Sequence, residues 1–271
     1  MGMRLGCGDG LYEWRIENAQ AAPIKADCPL ARVDLLTADG SAVDNAAHLL
    51  LHAGRILPCD RDVEALQTWD GHALLLSSDT DCLSLWDGEG LVRTARVGVY
   101  PQDLALQGDI AAVCGGADGR LHLLALPELL PIADYSLPGM PERISIRGDF
   151  AFVLTLQADP EPQTALLRLE LRTGWCKELM RFPGLPGAIC AAERGIWVGV
   201  SEMLVCLSPD AARTLAIIEG FGLIRHLDAR GSAVLLTDPL EGICAMAAQP
   251  PRPTIEVVYR GEMGMAVFTG S

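Results

Sequence analysis

Residues 101–126 read PQDLALQGDIAAVCGGADGRLHLLAL, and residues 141–171 read PERISIRGDFAFVLTLQADPEPQTALLRLEL. Both stretches open with a proline, continue with a short apolar run, and turn at a Gly-Asp pair before the next apolar run. A third apolar run follows a turn that contains an acidic residue. Pro141 stands forty positions after Pro101, and a repeat of that length is typical of solenoids and propellers. The chain is therefore built from copies of one small unit.

Further copies of the unit lie on both sides of these two stretches. One begins at Pro186, another surrounds Arg225, and an earlier one begins near Val63. Each copy consists of apolar runs of about four to six residues that Gly, Asp and Pro separate, which predicts short strands joined in a meander. A four-stranded unit that repeats in this way predicts one blade of a β-propeller, because a single blade cannot bury both of its faces alone.

The number of blades depends on the two ends of the chain. Residues 3–7 and 11–16 match the second and third strands of a blade that lacks its first strand, and residues 264–268 match that missing strand. With a less regular blade at residues 29–60, the sequence predicts an all-β, seven-bladed β-propeller with four-stranded antiparallel blades. The N- and C-termini share one blade, and residues 1–271 form a single domain. Six blades remain the alternative, since residues 37–45 also fit an insertion.

The order of proline, apolar strand, Gly-Asp turn, apolar strand, Asp-Gly turn and apolar strand resembles the YVTN-type propellers, the group that includes the quinoprotein amine dehydrogenase-like domains. One copy, DCLSLWD at residues 81–87, also looks like the third strand of a WD repeat. The Gly-His pair that accompanies a WD repeat is displaced in this chain, because Gly71 and His72 lie between the first two strands. The resemblance implies an architecture. Families with it include binding platforms, lactone hydrolases and redox enzymes, so it does not specify an activity.

Composition narrows the classes of partner. Lys and Arg number 21 against 35 Asp and Glu, a net charge of −14, which repels nucleic acid and anionic membranes. No apolar run is long enough for a membrane helix, so we expect a soluble, cytoplasmic protein.

The nine cysteines are scattered among apolar residues without the two-residue spacing of zinc sites, which favours reduced core thiols. No phosphate-binding loop, nucleophile elbow or metalloprotease motif occurs, and the sequence predicts no cofactor and no metal.

Candidate functional residues lie on one face of the predicted propeller. Loops that lead into the innermost strands converge there around the mouth of the central channel, as a concave binding site requires. These loops contribute the predicted site, in which the arginines would hold an anion and the histidine would carry a proton: Tyr100, Gln102, Asp103, Glu142, Arg143, Arg225 and His226. The same charges would also fit solvated loops or cross-blade salt bridges. As for most surface substitutions, we expect that replacing Arg143 and Arg225 by alanine changes the free energy of unfolding by about 0.5 kcal/mol at most.

Acidic residues recur in the turns between the second and third strands of the copies. They form a ring that could attract a basic partner, but Asp is also favoured in tight turns because it bonds its own backbone. The turn interpretation is the stronger one for this set: Asp9, Asp79, Asp81, Asp118, Asp159, Glu202 and Asp238. His48 and His52 lie in an apolar run predicted as strand, at a spacing poorly suited to one metal ion.

Two classes of function follow from these residues. The absence of a catalytic constellation favours a non-catalytic platform that binds another protein or a small polar molecule. The alternative is a lactonase-like hydrolase or isomerase that acts on a lactone or sugar acid at the channel mouth. Only the grouping of Glu142, Arg143, Arg225 and His226 supports this alternative.

Overall fold

A computed structural model of the chain describes residues 2–15, 24–158, 160–231, 233–248 and 254–269. These residues form seven four-stranded antiparallel sheets arranged as the blades of a propeller, and the predicted all-β, seven-bladed architecture is confirmed. Ile16 and Asp159, to which the sequence assigned a strand end and an acidic turn, lie outside the described residues. None of the described elements is a helix with the length and apolarity that crossing a membrane would take.

Each blade runs from an innermost strand at the channel to an outermost strand at the edge of the ring. In that order, blade 1 consists of β28 (Ala266–Thr269), β1 (Gly2–Cys7), β2 (Gly10–Arg15) and β3 (Ile24–Lys25), and blade 2 of β4 (Leu35–Leu36), β5 (Ala42–Asp44), β6 (Leu49–His52) and β7 (Arg55–Pro58). Blade 3 consists of β8 (Val63–Trp69), β9 (His72–Ser77), β10 (Cys82–Trp86) and β11 (Leu91–Arg96), and blade 4 of β12 (Asp103–Gln107), β13 (Ile110–Cys114), β14 (Arg120–Ala125) and β15 (Leu130–Ser136). Blade 5 consists of β16 (Met140–Arg147), β17 (Phe150–Gln157), β18 (Gln163–Glu170) and β19 (Cys176–Pro183), and blade 6 of β20 (Pro186–Ala192), β21 (Gly195–Val200), β22 (Met203–Leu207) and β23 (Thr214–Glu219). Blade 7 consists of β24 (His226–Arg230), β25 (Ala233–Asp238), β26 (Ile243–Ala248) and β27 (Ile255–Arg260).

The hydrophobic core lies between the blades, because successive residues of a strand point to opposite faces of its sheet. In β17, Ala151 and Val153 pack against blade 4, whereas Phe152 and Leu154 pack against blade 6. The described residues form seven such clusters, one between each pair of neighbouring blades, so the ring is closed by apolar contact on every side. This arrangement explains why the second strands read as continuous apolar runs: both of their faces are buried.

The two ends of the chain meet in blade 1, as the sequence predicted. Strand β28 pairs with β1 in an antiparallel register that runs from Gly2 opposite Thr269 to Leu5 opposite Ala266. Phe268 is 2% exposed, and its backbone N–H donates to Oδ2 of Asp228 in blade 7 at 2.8 Å. The final strand therefore completes blade 1 and also contacts the preceding blade.

Blade 2 is a genuine blade with short strands, so residues 37–45 are not an insertion. The expected strand around His48 begins one residue later, because His48 has a φ of +56° and lies in a turn. His52 ends β6 and uses both ring nitrogens within the protein: Nδ1 lies 2.9 Å from Ser41 Oγ, and Nε2 lies 3.0 Å from the carbonyl oxygen of Gly71. The two histidines therefore do not share a strand face, and His52 connects blade 2 to blade 3.

All nine cysteines are free, and four of them are buried. Burial raises the pKa of Cys7 to about 11 and that of Cys244 to about 12. These thiols therefore stay protonated near neutral pH, as expected for core residues.

Removal of the closing strand tests the shared blade. Deleting residues 262–271 should unfold the protein or lower its melting temperature sharply. Val267 and Phe268 each contribute about 1.5–3 kcal/mol by burial, against a total stability of about 5–15 kcal/mol. Thermal unfolding followed by circular dichroism measures the effect, and a peptide of residues 262–271 added in trans should restore part of it.

Two point variants provide the matched control. Phe268→Ala should cost about 3–5 kcal/mol, whereas Val257→Ala, on the outer strand β27 with 42% exposure, should stay within about 0.5 kcal/mol. A truncated protein that melts within about two degrees of the full chain would contradict the shared blade.

Candidate functional site

A central cavity of about 730 Å³ opens at the predicted mouth of the propeller. Its wall is the inner edge of the innermost strands together with the loops that lead into them. Five of the seven predicted site residues line this cavity: Gln102, Asp103, Arg143, Arg225 and His226. The structure therefore brings together residues that lie up to 124 positions apart in the sequence.

Asp103 connects blade 4 to blade 5 through its carboxylate. Oδ1 accepts the N–H of Leu104 at 2.9 Å, and Oδ2 accepts the N–H of Ile144 at 2.9 Å. Ile144 belongs to the innermost strand of the next blade, whose inner edge has no further strand to pair with. Burial raises the pKa of Asp103, while the charge of Arg143 and these two N–H donors oppose that shift. Both carboxylate oxygens of Asp103 therefore already accept backbone hydrogen bonds that hold blades 4 and 5 together.

Arg143 is held in the wall by three backbone carbonyls. Nε donates to Gly187 O at 2.9 Å, and Nη1 donates to Glu142 O at 2.6 Å and Gln102 O at 3.4 Å. These carbonyls belong to blade 6, blade 5 and the loop before blade 4. The guanidinium therefore has a fixed position at the junction of three blades and presents its positive charge to the cavity.

Arg225 lies on the loop into blade 7, and Asp238 holds that loop in place. The fully buried carboxylate of Asp238 accepts the N–H groups of Gly222 at 2.5 Å and Leu223 at 3.2 Å, and the Arg225 N–H donates to Thr237 O at 2.9 Å. The Arg225 side chain lines the cavity, and among the described residues it has no hydrogen-bond or ion-pair partner. Burial lowers the pKa of Arg225, and the positive charge of Arg143 lowers it further.

His226 lines the cavity but does not offer Nε2 to it. That nitrogen is buried and has no hydrogen-bond partner among the described residues. Burial lowers the pKa of His226. The negative charge of Asp228 and a hydrogen bond with the backbone of Ala266 raise it and so partly offset this shift. The imidazole is therefore neutral near pH 7, and proton transfer at Nε2 would require the wall to open.

The other predicted residues differ in their surroundings. Tyr100 is 58% exposed at the rim, with a φ of +55°, and does not line the cavity. Its carbonyl accepts from Nε2 of Gln102 at 3.1 Å, which fixes that amide. Glu142 is half-buried beside the wall. Burial raises its pKa, and the positive charges of Arg143 and Arg225 partly offset this rise.

Sequence reasoning missed several polar residues that line the cavity. Glu64 occupies the place in blade 3 that Glu142 occupies in blade 5, because each is bulged out of the register between its innermost and second strands. Aligning the copies on the turn after the innermost strand would have found Glu64. The same alignment finds a deeper level of the wall, which contains Gln67, Ser145, Cys190 and Asp228.

Two of the acidic turn residues bond the backbone of their own turns: Asp118 Oδ1 accepts the N–H of Arg120 at 2.9 Å, and Asp238 Oδ1 accepts the N–H of Leu240 at 3.1 Å. Asp81 Oδ1 instead accepts the N–H of Tyr100, nineteen positions away, at 2.8 Å, and Asp9 Oδ2 accepts from the hydroxyl of Tyr12 at 2.9 Å. Within the described ranges, no three His, Cys, Asp or Glu side chains cluster in a way that could hold a metal ion.

Comparison with solved structures supports the propeller fold. No protein-family model matches the chain, and no curated protein matches it. A solved structure named "putative 6-phosphogluconolactonase" from Bacteroides uniformis ATCC 8492 aligns with a TM-score of 0.74 at 10% identity, over 98% of each chain. A protein from Lactobacillus plantarum aligns with a TM-score of 0.76 at 12% identity, over 97% of each chain. The Pan2 WD40 domain of Neurospora crassa aligns with a TM-score of 0.56 at 11% identity, over 70% of this chain and 65% of that one.

The contacts of Arg143 change what we expect of its replacement. Arg143→Ala would leave three wall carbonyls without their donor, so it should lower the free energy of unfolding by about 1–3 kcal/mol. Arg143→Lys should not restore it, because an ammonium cannot reproduce the planar fork. Arg225→Ala is the matched control and should stay within about 0.5 kcal/mol. Urea unfolding measures all three variants, and equal stability of Arg143→Ala and Arg225→Ala would show that the carbonyl contacts contribute nothing.

Proposed function

We propose that this propeller is a non-catalytic binding platform that takes a small polar molecule with an anionic group at the channel mouth. The observation that carries the proposal is the contrast between the two arginines. Arg143 is bonded to three carbonyls, whereas Arg225 has a guanidinium without a partner among the described residues, in the wall of a 730 Å³ cavity. A cavity of this size with a few convergent polar groups is typical of small-ligand sites.

The electrostatics of the mouth support an anion between the arginines. Burial lowers the pKa of Arg225, and the positive charge of Arg143 adds to that shift. An anion bound between the two guanidiniums would relieve the repulsion between them. Glu64 and Glu142 also lie close enough to act on Arg225. Their carboxylates would accept hydrogen bonds from a ligand, so the best fit is an acid that also carries hydroxyl or amino groups. Gln102 adds an amide to the same wall.

Binding experiments with Arg225 variants test the proposal. Isothermal titration with gluconate, glucose 6-phosphate and glutamate should identify at least one ligand. Arg225→Ala should weaken its binding by about 1.5–3 kcal/mol, the usual contribution of a charge-assisted hydrogen bond. Arg93→Ala, which removes an exposed arginine from outer strand β11, is the matched control and should bind as the parent does. A ligand whose affinity is the same with Arg225→Ala would place the site elsewhere, and capture of a protein that requires Arg225 would favour a protein partner.

Lactone hydrolysis is the second candidate, and Glu142 is the observation that favours it. Burial raises the pKa of this carboxyl, and a raised pKa suits a general acid–base. The structure from Bacteroides uniformis carries the name of a lactonase. In such a reaction, water adds to the carbonyl carbon and the ring C–O bond breaks. Glu142 would take the proton from water and return it to the ring oxygen.

Measurement of acid release from glucono-δ-lactone tests this candidate. The rate should exceed the spontaneous rate and rise with pH through the pKa of Glu142, because the base acts only when it is deprotonated. That rise should occur above the usual carboxyl range, since burial raises the pKa. Glu142→Gln should lose about a hundredfold or more in rate, whereas Glu219→Gln on outer strand β23 should not. A rate equal to that without protein would exclude glucono-δ-lactone hydrolysis as its function.

A further inference from the structure

One position of the repeat is apolar in four blades and charged in blade 5. Aligning the blades on the turn between first and second strands gives this position in the third strand of blades 3, 4, 6 and 7: Leu85, Leu123, Cys206 and Met246. In blade 5 the same position is Arg168, which lies opposite Phe152 of β17. Blade 1 also has a charged residue at this position, Glu13, which forms an ion pair with Arg4. In blade 5 an arginine therefore replaces a side chain that packs between blades in blades 3, 4 and 6, on the face of blade 5 that meets blade 6.

Two aromatic rings hold Arg168 in this position. Its Cζ lies 5.1 Å from the ring centroid of Phe150 and 5.8 Å from that of Trp175. Nε is buried without a hydrogen-bond partner among the described residues. Trp175 is 52% exposed, so one side of this aromatic pair faces solvent. Aromatic contact of this kind orients a guanidinium while its N–H groups remain available to an acceptor.

A second cation lies directly across the strand. Lys177 of β19 is the register partner of Arg168, and opposite residues of an antiparallel pair have Cβ atoms about 4.5–5.5 Å apart on the same face. Like charges in this arrangement are destabilising unless an anion lies between them. The nearest acid along β18 is Glu170, whose Oε2 accepts from Thr173 Oγ1 at 2.7 Å. Neither cation forms an ion pair with any carboxylate in the described part of the chain.

Arg147 is a third cation near Arg168, but its guanidinium donates to backbone carbonyls of blade 6. It belongs to the innermost strand of blade 5, and its Cζ lies 5.1 Å from the ring centroid of Phe152. Nη1 donates to Ala192 O at 2.7 Å and Nη2 donates to Pro209 O, both in blade 6. Arg147 therefore lies on the inner side of Arg168, and its guanidinium is used within the protein. We call the group of Arg168, Trp175 and Lys177 the Arg168 patch.

We propose that the Arg168 patch, on the side of blade 5 that meets blade 6, binds an organic anion that carries a planar ring. The phosphate or carboxylate lies between Arg168 and Lys177, and the ring packs on the exposed face of Trp175. The Arg168 patch lies at the end of the blades opposite the channel mouth, because Arg168 is close to the loop that joins the third strand to the fourth. It is therefore separate from the site of Arg225.

Titration with three probes separates the parts of this ligand. Adenosine 5′-monophosphate has the ring and the phosphate, adenosine has only the ring, and inorganic phosphate has only the anion. The change in tryptophan fluorescence that disappears with Trp175→Leu reports binding at the Arg168 patch. Adenosine 5′-monophosphate should bind at least about tenfold more tightly than either fragment, as expected when two contacts act together. A carboxylate source is tested in parallel with indole-3-acetate.

Variants of the Arg168 patch provide the decisive comparison. Arg168→Gln should weaken binding of adenosine 5′-monophosphate about tenfold or more, the change that loss of one charge-assisted contact produces. Lys177→Gln should weaken it less, and added salt should weaken it further. Arg93→Gln, which changes the cation at the place of Lys177 in blade 3, should leave the Trp175-dependent fluorescence change unaltered. Arg225→Ala should also leave this signal unaltered, because any binding of the same probe at the channel mouth does not contact Trp175. Equal binding by Arg168→Gln in a variant with parental melting temperature would overturn the proposal, as would no binding of adenosine 5′-monophosphate or indole-3-acetate at millimolar concentration.

Discussion

The innermost strand of every blade has one edge with no strand beside it, and the ring depends on how the N–H groups of that edge are satisfied. For blades 1, 3, 5 and 6, a side chain of the preceding blade supplies an acceptor. Asp103 accepts from blade 5, Ser145 from blade 6 and Asp228 from blade 1, while Asn45 exchanges two bonds with Val63 of blade 3. Unpaired backbone donors are costly when they are buried. Polar residues in the channel therefore stabilise the ring before they are available for any ligand.

This constraint decides which channel residues can act on a ligand. A carboxylate that accepts two backbone N–H groups, as Asp103 does, has little capacity left, and the guanidinium of Arg143 is already shared among three carbonyls. Arg225 differs because its loop is fixed by Asp238 and by its own backbone, so its side chain is not needed for the fold. A functional interpretation of a propeller channel must therefore separate side chains that hold blades together from those that do not.

The repeat made the architecture predictable from sequence, because apolar runs and Gly-Asp turns are local features that survive when individual residues change. Blade 2 was the hardest to assign, since its strands are only two to four residues long. Side-chain partners were less predictable, because they depend on contacts between blades about forty positions apart. The sequence placed Arg143 at the mouth but could not show that carbonyls of three blades surround it. The pairing of Arg168 with Lys177 was also hidden, because it depends on the length of the turn that joins β18 to β19, which sets the register of the two strands.

The pairing of β28 with β1 has a consequence for biosynthesis. At about 5–20 residues per second, roughly ten to fifty seconds pass between the emergence of β1 and that of β28. Throughout that interval β1 presents an open edge that could pair with another nascent chain. Gly2 and Arg4 lie on this strand, and a charged residue on an exposed edge discourages such pairing. Ribosomes that carry several copies of this chain side by side would therefore be the setting in which strand exchange between molecules competes with closure of the ring.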